Sequence, residues 1–243
     1  MKKLPVLLCI FLLSACAPSE VPSDKLLERN GLKYEINSQT PFTGVATEYW
    51  ENGQLMFKTT YKDGERNGLD EWYQENGQLE ERYTYKDGEL TGKSEYHENG
   101  QLEERYTYKD GELTGMSEYH ENGQLKTESN WKDGELNGPS EDYQENGQLM
   151  FKTTFKDGEL IGLYEMYYEN GQLSTKATYK DGEKNGLYEM YYENGQLWNK
   201  TTYKDGELNG PLEEYYENGQ EVEWSPNCYQ NGEAADISKC KSL

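Results

Sequence analysis

One tripeptide, Glu-Asn-Gly, returns along most of this 243-residue chain at intervals of 23 or 24 residues. Its copies begin at Glu51, Glu75, Glu98, Glu121, Glu145, Glu169, Glu193 and Glu217. A second tripeptide, Lys-Asp-Gly, lies between them and begins at Lys62, Lys86, Lys109, Lys132, Lys156, Lys180 and Lys204. A fixed period of this length is typical of tandem structural repeats, so it constrains the fold more than any other feature.

Each repeat contains two turn signals separated by two short segments. Asn-Gly favours a two-residue type I′ turn, because both central residues of that turn need a positive φ. Asp-Gly, four residues before another glycine, predicts the second reversal. The segment after Asn-Gly alternates, with Leu149, Phe151, Thr153 and Phe155 on one face, as in a half-buried strand. The sequence therefore predicts an all-β fold, an elongated single-sheet meander of about eight tandem β-hairpin repeats.

A tyrosine stands two residues before each Glu-Asn-Gly and predicts a column of rings along the sheet. This column is the candidate interaction stripe, formed by Tyr73, Tyr96, Tyr119, Tyr143, Tyr167, Tyr191 and Tyr215. Packing within the sheet is the alternative role, because a thin array has little else to bury. The two 23-residue repeats lack one residue, and such a loss reverses the faces of a strand unless a bulge absorbs it. We therefore expect an irregularity between Gly92 and Asn122.

The first residues have the anatomy of a secretory signal. Lys2 and Lys3 precede an apolar run over residues 4–13, which is too short to span a bilayer. The tetrapeptide Leu-Ser-Ala-Cys, which ends at Cys16, resembles the lipobox of bacterial lipoproteins. That resemblance implies lipidation of Cys16. Because Ala17 is not an aspartate, it also implies an outer-membrane location, at the periplasmic face or the cell surface. An ordinary signal peptide with an incidental cysteine is the alternative.

Four segments follow from these features. They are a signal peptide at residues 1–15, the lipidated cysteine with a tether at 16–28, the repeat array at 29–223, and a C-terminal cap or tail at 224–243. Beyond Cys16 the chain has only Cys228 and Cys240. A lone pair in an exported protein indicates a disulfide that would fasten the end of the array. Two free thiols on a frayed tail are the alternative.

The formal net charge of −22 narrows the range of partners. Nucleic acids and anionic lipid headgroups bind proteins through lysine and arginine, so a strongly acidic surface repels both. We therefore expect no nucleic-acid binding and no membrane contact beyond the lipid anchor. A basic protein, in contrast, would be steered towards such a surface.

Nothing in the sequence indicates catalysis, because an active site is normally singular and nearly every polar feature here is repeated. His97 and His120 hold equivalent positions in neighbouring repeats, roughly 10 Å apart, which is too far for one metal ion. We interpret them as polar turn residues. Successive turns also place acids along one edge, where calcium is a weaker hypothesis because a lysine adjoins each acid: Asp87, Asp110, Asp133 and Asp157. The sequence predicts a non-enzymatic protein without a metal or cofactor.

The repeat resembles the MORN repeat in its bacterial variant. The resemblance rests on eight copies of a pattern like Tyr-Tyr-Glu-Asn-Gly-Gln-Leu, an aromatic, Lys-Asp-Gly-Glu and a closing glycine. It also rests on the opening Pro-Phe-Thr-Gly at residues 41–44, and it covers residues 29–223. MORN arrays serve as scaffolds, membrane-associated modules and binding surfaces. Many bacterial relatives are described as antitoxins of the YwqK family, so the resemblance also implies an antitoxin role.

These features together predict a lipoprotein whose repeat array is a scaffold for a protein partner in the cell envelope. Antitoxins usually meet their toxins in the cytosol, and an exported immunity protein would reconcile that role with the lipobox. The alternative is a cell-wall or glycan-binding module, because some Tyr/Trp-rich hairpin repeats hold ligands in aromatic cages. Open sheet ends also make self-association an expectation.

Overall fold

The computed structural model describes residues 19–223 and 227–240 of the chain. The predicted signal peptide, Cys16 and Trp224 lie outside the described residues. Regular structure is almost entirely β-strand, with a 3-10 turn at Ser23–Lys25 and a short helix α1 at Ile237–Cys240.

The strands follow the turn signals of the sequence. They are β1 (Glu20–Pro22), β2 (Leu26–Arg29), β3 (Leu32–Glu35), β4 (Gly44–Tyr49), β5 (Leu55–Lys62), β6 (Glu65–Tyr73), β7 (Leu79–Lys86), β8 (Glu89–Tyr96), β9 (Leu102–Lys109), β10 (Glu112–Tyr119), β11 (Leu125–Lys132), β12 (Glu135–Tyr143), β13 (Leu149–Lys156), β14 (Glu159–Tyr167), β15 (Leu173–Lys180), β16 (Glu183–Tyr191), β17 (Leu197–Lys204), β18 (Glu207–Leu208), β19 (Gly210–Glu214), β20 (Asn227–Gln230) and β21 (Glu233–Ala235).

Nineteen of these strands form one sheet. From β4 to β17 each strand pairs antiparallel with the next along the chain. β17 then pairs with β18 and β19, and the meander ends with β20 and β21. β1 adds to β4 in parallel, and β2 with β3 makes a separate hairpin. The prediction of an all-β, single-sheet meander of tandem hairpins is confirmed.

The two turns of a repeat differ in type. Asp63 and Gly64 have φ values of 51° and 87°, so Lys-Asp-Gly-Glu forms the two-residue type I′ turn. In the turn at residues 51–53 only Gly53 has a positive φ, and its N–H donates to the Trp50 carbonyl at 2.9 Å. That geometry is a type I turn followed by a G1 bulge. The prediction of a type I′ turn at Asn-Gly is therefore wrong, and that turn lies at Asp-Gly.

The side chain of the asparagine explains this difference. The Oδ1 atom of Asn52 accepts a hydrogen bond from the Gln54 N–H at 2.9 Å, which fixes the residue in a side-chain-mediated turn. Its Nδ2 atom donates to the carbonyl of Glu75 in the next repeat at 2.8 Å. The asparagine is therefore favoured at this position by the two hydrogen bonds of its side-chain amide. The residue with a left-handed backbone conformation in this turn is the glycine, Gly53.

The missing residue of the 23-residue repeats is absorbed by a bulge. In the 24-residue repeat of β5 and β6, residues 67–69 lie opposite the single residue Thr60. In the 23-residue repeat of β7 and β8, Thr91 alone is extra. Gly68 in the longer bulge has a φ of 115°, whereas Gly92 in the shorter bulge is not left-handed. The shorter bulge is the expected irregularity, and it keeps the faces of the flanking segments unchanged.

The register sorts the side chains onto two faces. The front face carries a central row with one residue from each strand, in the order Ala46, Thr59, Asp70, Tyr83, Lys93, Tyr106, Met116, Ser129, Ser140, Thr153, Tyr164, Ala177, Tyr188 and Thr201. The back face carries the side chains between them, including Glu71 and Tyr73. The small members of the central row are buried, because larger side chains of adjacent strands close over them.

The N-terminal end of the sheet is covered by residues that the sequence interpretation assigned to a tether. Val21 of β1 and Leu26 of β2 pack on a buried cluster of Phe42, Ala46 and Tyr61. Residues 20–22 and 26–29 are thus strands, and the predicted tether at 16–28 is wrong from Ser19 onward. The segment is rich in proline and serine, but Val21 and Leu26 pack it on the first repeat.

The C-terminal end is closed by β20, β21 and α1. The Sγ atoms of Cys228 and Cys240 are 2.08 Å apart, so a disulfide ties α1 to β20. Cys228 is buried. Both ends of the sheet therefore carry extra elements that differ from the repeats.

Candidate functional site

The tyrosines of the candidate interaction stripe form one column on the back face, each about half-buried. In five of the repeats the hydroxyl donates to the glutamate two residues earlier. The pairs are Tyr73–Glu71, Tyr143–Glu141, Tyr167–Glu165, Tyr191–Glu189 and Tyr215–Glu213. In the 23-residue repeats, Tyr96 and Tyr119 instead face the guanidinium groups of Arg82 and Arg105, at 5.8 and 5.9 Å from the ring centroids. Most hydroxyls of the column are thus bound within the chain.

These bonds change how the tyrosines ionise. The hydrogen bond to Glu141, together with burial, raises the pKa of Tyr143 to about 12. We expect Glu141→Gln to lower the pKa of Tyr143, measured by ultraviolet absorbance of tyrosinate in wild type and variant. Since the folded-state pKa lies above the ordinary 10, the wild type loses stability as the pH rises from 10 through 12. An unchanged titration in the variant would contradict the role of Glu141.

A row of mostly charged residues lies beside this column and was not predicted from the sequence; its signs alternate from Glu141 to Glu213. It has one residue from each strand of the back face, in the order Lys58, Glu71, Arg82, Ser94, Arg105, Ser117, Glu128, Glu141, Lys152, Glu165, Lys176, Glu189, Lys200 and Glu213. We call it the charge row. Arg82 and Glu71 approach to 2.8 Å, and Lys152 and Lys176 lie 3.7 and 3.8 Å from Glu165. Opposite charges on facing strands favour this register.

Side chains at the Glu-Asn-Gly edge join each repeat to the next. Trp50 Nε1 donates to the carbonyl of Tyr73 at 3.0 Å, and Tyr168 and Tyr192 make the equivalent bonds with their hydroxyls. His97 Nε2 lies 3.2 Å from the carbonyl of Tyr119, and His120 takes the same place one repeat later. The interpretation of the histidines as polar turn residues agrees with this geometry, and their bonding explains why polar groups recur there.

A groove of about 750 Å³ lies along this edge between the two 23-residue repeats. Its walls include His97, His120, Glu103 and Glu118, and the Nδ1 atom of His97 is 3.6 Å from Glu103. Within residues 19–223 and 227–240 no three acidic, histidine or cysteine side chains are grouped closely enough to hold a metal ion. The groove therefore offers separate polar contacts.

At the opposite edge, two of the four aspartates of the calcium hypothesis, Asp87 and Asp157, accept hydrogen bonds from asparagines of the preceding repeat. Asn67 Nδ2 donates to Asp87 Oδ1 at 2.9 Å, and Asn137 makes the same bond to Asp157 at 2.8 Å. Asn185 repeats the contact with Asp205 at 3.0 Å. These carboxylates join neighbouring repeats, and the described part of the chain gathers no cation-binding group around them.

The C-terminal half of the front face is lined by aromatic rings. Tyr164 lies 5.2 Å from Phe151 and 5.5 Å from Tyr179, measured between ring centroids. Lys184 Nζ sits 4.0 Å from the centroid of Tyr188, and burial lowers the pKa of this lysine. An aromatic cage binds the cation of an external ligand, such as choline, against its rings. Here the chain's own Lys184 makes that contact with Tyr188.

The front face also buries an acid. Asp70 is 1 % exposed, accepts a hydrogen bond from Thr59 Oγ1 at 2.9 Å, and lies 3.5 Å from Arg66. Burial outweighs these contacts and raises the pKa of Asp70 above its usual value of 3.8.

We expect Asp70→Asn to raise the free energy of unfolding at pH 7 by about 1 kcal/mol, because it removes a buried charge and keeps the oxygen that Thr59 binds. The sign of the pH dependence follows from the raised pKa. The wild type loses stability as the pH rises from the ordinary aspartate range through the raised value, so the advantage of the variant disappears towards pH 4. Urea unfolding at several pH values measures it, and an advantage independent of pH would contradict the assignment.

These observations define a repeat protein whose sheet is a single layer from β7 to β17, with two uncovered faces there and with neighbouring repeats joined along both edges. No helix within the described residues is long and apolar enough to cross a membrane.

Comparison with known families agrees with that class. The model of the MORN repeat variant matches residues 42–63, 66–87, 90–110, 116–133, 136–157, 160–181 and 184–205. These segments make up more than half of the chain, so the chain belongs to the MORN repeat variant family, with seven matched repeats. The repeats indicate a repeat-based interaction module.

Other comparisons add little. No curated protein matches the chain. Among solved structures, a chain in the crystal structure of TcdB2-TccC3-Cdc42 is similar over 78 % of this chain, with 11 % sequence identity and a TM-score of 0.15. This chain spans only 14 % of the length of that chain.

Proposed function

We propose that the chain is a non-enzymatic lipoprotein of the outer membrane whose MORN repeat array is a scaffold for a protein partner. The observation that carries the proposal is the uncovered sheet. From β7 to β17 no second layer covers either face, and apolar side chains remain about 40 % exposed on both of them. Leu163 on the back face is 39 % exposed, and Met166 on the front face is 38 % exposed. Exposed apolar patches of this kind mark interaction surfaces.

Lipid anchoring is supported by the Leu-Ser-Ala-Cys sequence and by a disulfide of the kind that persists in oxidising compartments. Metabolic labelling of expressing cells with radioactive palmitate tests it. We expect label on the wild type, none on Cys16→Ser, and full label on the matched control Cys9→Ser, which alters the other leader cysteine. Label retained on Cys16→Ser would overturn the anchoring.

More specifically, we propose that the scaffold is an immunity-type protein that binds a toxin. The net charge of −22 supports a basic toxin as the partner. Acidic charge would speed the encounter with such a partner and lose its effect in salt. Binding that is unchanged between low and high salt would argue against a basic partner without touching the scaffold role.

Cross-linking in intact cells, followed by mass spectrometry, tests the scaffold role directly. Met166→Glu and Leu163→Glu make a matched pair, because the two residues lie on one strand with equal exposure but on opposite faces. We expect one reproducible protein partner for the wild type, lost in one variant and kept in the other. Capture of wall material alone, with retention on purified peptidoglycan at high salt, would overturn the proposal in favour of a wall-binding module.

A further inference from the structure

The 23-residue repeats interrupt the charge row at its middle. In five of the 24-residue repeats a glutamate of this row accepts the tyrosine hydroxyl, and it has a cation on a neighbouring strand, as Glu71 does with Tyr73 and Arg82. Ser94 and Ser117 take the place of that glutamate in the two short repeats. Two carboxylates of the repeat are therefore absent from adjacent hairpins on the same face.

Arg105 lies between these two serines. The register pairs it with Ser94 on one side and with Ser117 on the other. Every other cation of the charge row has a glutamate as at least one cross-strand neighbour. Within the described residues Arg105 makes no ion pair, and its contact is the ring of Tyr119 at 5.9 Å.

The chain contains a control for this comparison. β7 and β9 have the same sequence, Leu-Glu-Glu-Arg-Tyr-Thr-Tyr-Lys, so Arg82 and Arg105 occupy identical positions. Arg82 binds Glu71 through both Nε, at 3.0 Å, and Nη2, at 2.8 Å. The two arginines differ in their cross-strand neighbours, which are Glu71 and Ser94 for one and two serines for the other.

The hydroxyl groups around Arg105 are also free to bind. Neither serine hydroxyl has a hydrogen-bond partner among the described residues, and the same is true of the hydroxyls of Tyr96 and Tyr119. The nearest acids on this face are Glu103, whose carboxylate lies 3.6 Å from His97, and Glu128, the next residue of the charge row after Ser117. One guanidinium and several hydroxyls thus surround the place where the other repeats hold a carboxylate.

We propose that Arg105, Ser94 and Ser117, with Tyr96 and Tyr119, form a site for a carboxylate of a bound peptide or protein. The ligand carboxylate replaces the glutamates that the short repeats lack, accepting charge-assisted hydrogen bonds from the guanidinium and neutral bonds from the hydroxyls. Acids elsewhere in the charge row repel a ligand carboxylate, so this interruption also sets the register of the partner on the sheet. The inference rests on the scaffold role proposed above, whose partner it describes more closely, and it does not depend on lipid anchoring.

Titration of the full, ¹⁵N-labelled chain with acetate, against sodium chloride at equal ionic strength, tests the site. The chain has four arginines, Arg29, Arg66, Arg82 and Arg105, so their Nε–H signals are assigned by single substitutions. We expect the Arg105 signal to shift saturably with acetate and the Arg82 signal to stay nearly constant. Equal shifts at both arginines, or equal shifts with chloride, would overturn the proposal.

The decisive variant restores the residues of the longer repeats. Ser94→Glu with Ser117→Glu supplies internal carboxylates, and we expect it to weaken acetate binding at Arg105 by about tenfold or more. Lys200→Gln, which removes a cation of the charge row far from the site, is the matched control and should leave that binding unchanged. A saturable shift that survives the double substitution would refute the site.

Two peptides then distinguish the source of the carboxylate. One has blocked ends and a single internal glutamate, and the other has a free C-terminus and no acidic side chain. The peptide that competes more strongly with acetate identifies the source, and a failure of both to compete would overturn the assignment to a peptide ligand.

Discussion

Phe42→Ala is expected to lower the free energy of unfolding of the N-terminal end by about 3–5 kcal/mol, the usual cost of removing a buried phenylalanine ring. Phe42 is 3 % exposed, and its ring lies 6.0 Å from that of Tyr61. Val21 of β1 and Leu26 of β2 pack against the cluster that contains this ring. Its loss therefore opens a cavity in the buried cluster where β1, β2, β4 and β5 meet.

Hydrogen exchange measured by mass spectrometry shows where that energy is lost. Strands of an array contact their neighbours, so stability is a sum of local terms, and we expect faster exchange in residues 19–62 with little change beyond β10. Phe155→Ala is the matched control, since Phe155 has the same side chain but lies half-buried in the middle of the array. It should cost less than Phe42→Ala. Uniformly faster exchange along the chain would show that the sheet unfolds as one cooperative unit.

Gly186→Ala should cost about 2 kcal/mol, because alanine meets two obstacles at once. Gly186 has a φ of 120°, in the left-handed half of the map that favours glycine. An added Cβ would also lie 3.2 Å from the Cβ of Thr178, which is closer than ordinary contact. The residue sits in the long bulge of a 24-residue repeat, where the extra residues force this conformation.

Gly92→Ala is the control for that experiment, at the equivalent glycine of a 23-residue repeat. Gly92 is not left-handed, and an added Cβ would meet no atom nearer than 3.6 Å. We expect its effect on the free energy of unfolding to stay within about 0.5 kcal/mol. Urea unfolding of the two variants measures the difference. Equal costs would show that the one-residue deletion does not relax the bulge.

Much of the fold could be predicted because the sequence repeats its turn signals, with eight copies of Glu-Asn-Gly and seven of Lys-Asp-Gly. The position of each hairpin follows from its Asn-Gly and Asp-Gly signals. The turn types could not be separated in this way, since both dipeptides tolerate positive φ. What distinguishes them is the amide of Asn52, which bonds to Glu75 in the next repeat, and such a partner becomes visible only when repeats are stacked.

The charge row shows a similar gap between pattern and structure. Its members are ordinary surface charges in the sequence, and their alternation appears only when strands are aligned through the bulges that shift each register. Counting back from each tyrosine would have revealed the glutamate that binds it, and the serines that replace it at Ser94 and Ser117. The tyrosine column itself was found because a ring repeats at a fixed distance from a turn.

The first strand has a consequence for where the array stands. Ser19 is already held by the sheet, since its carbonyl accepts the N–H of Val45 at 2.7 Å. Only Ala17 and Pro18 separate it from Cys16, and three Cα–Cα steps reach at most about 11 Å. If Cys16 carries a lipid, as we propose, β1 and the β4–β5 hairpin next to it lie close to the lipid headgroups. Each further hairpin then lengthens the sheet by about 10 Å. The number of repeats therefore sets how far from the anchor a partner can be bound.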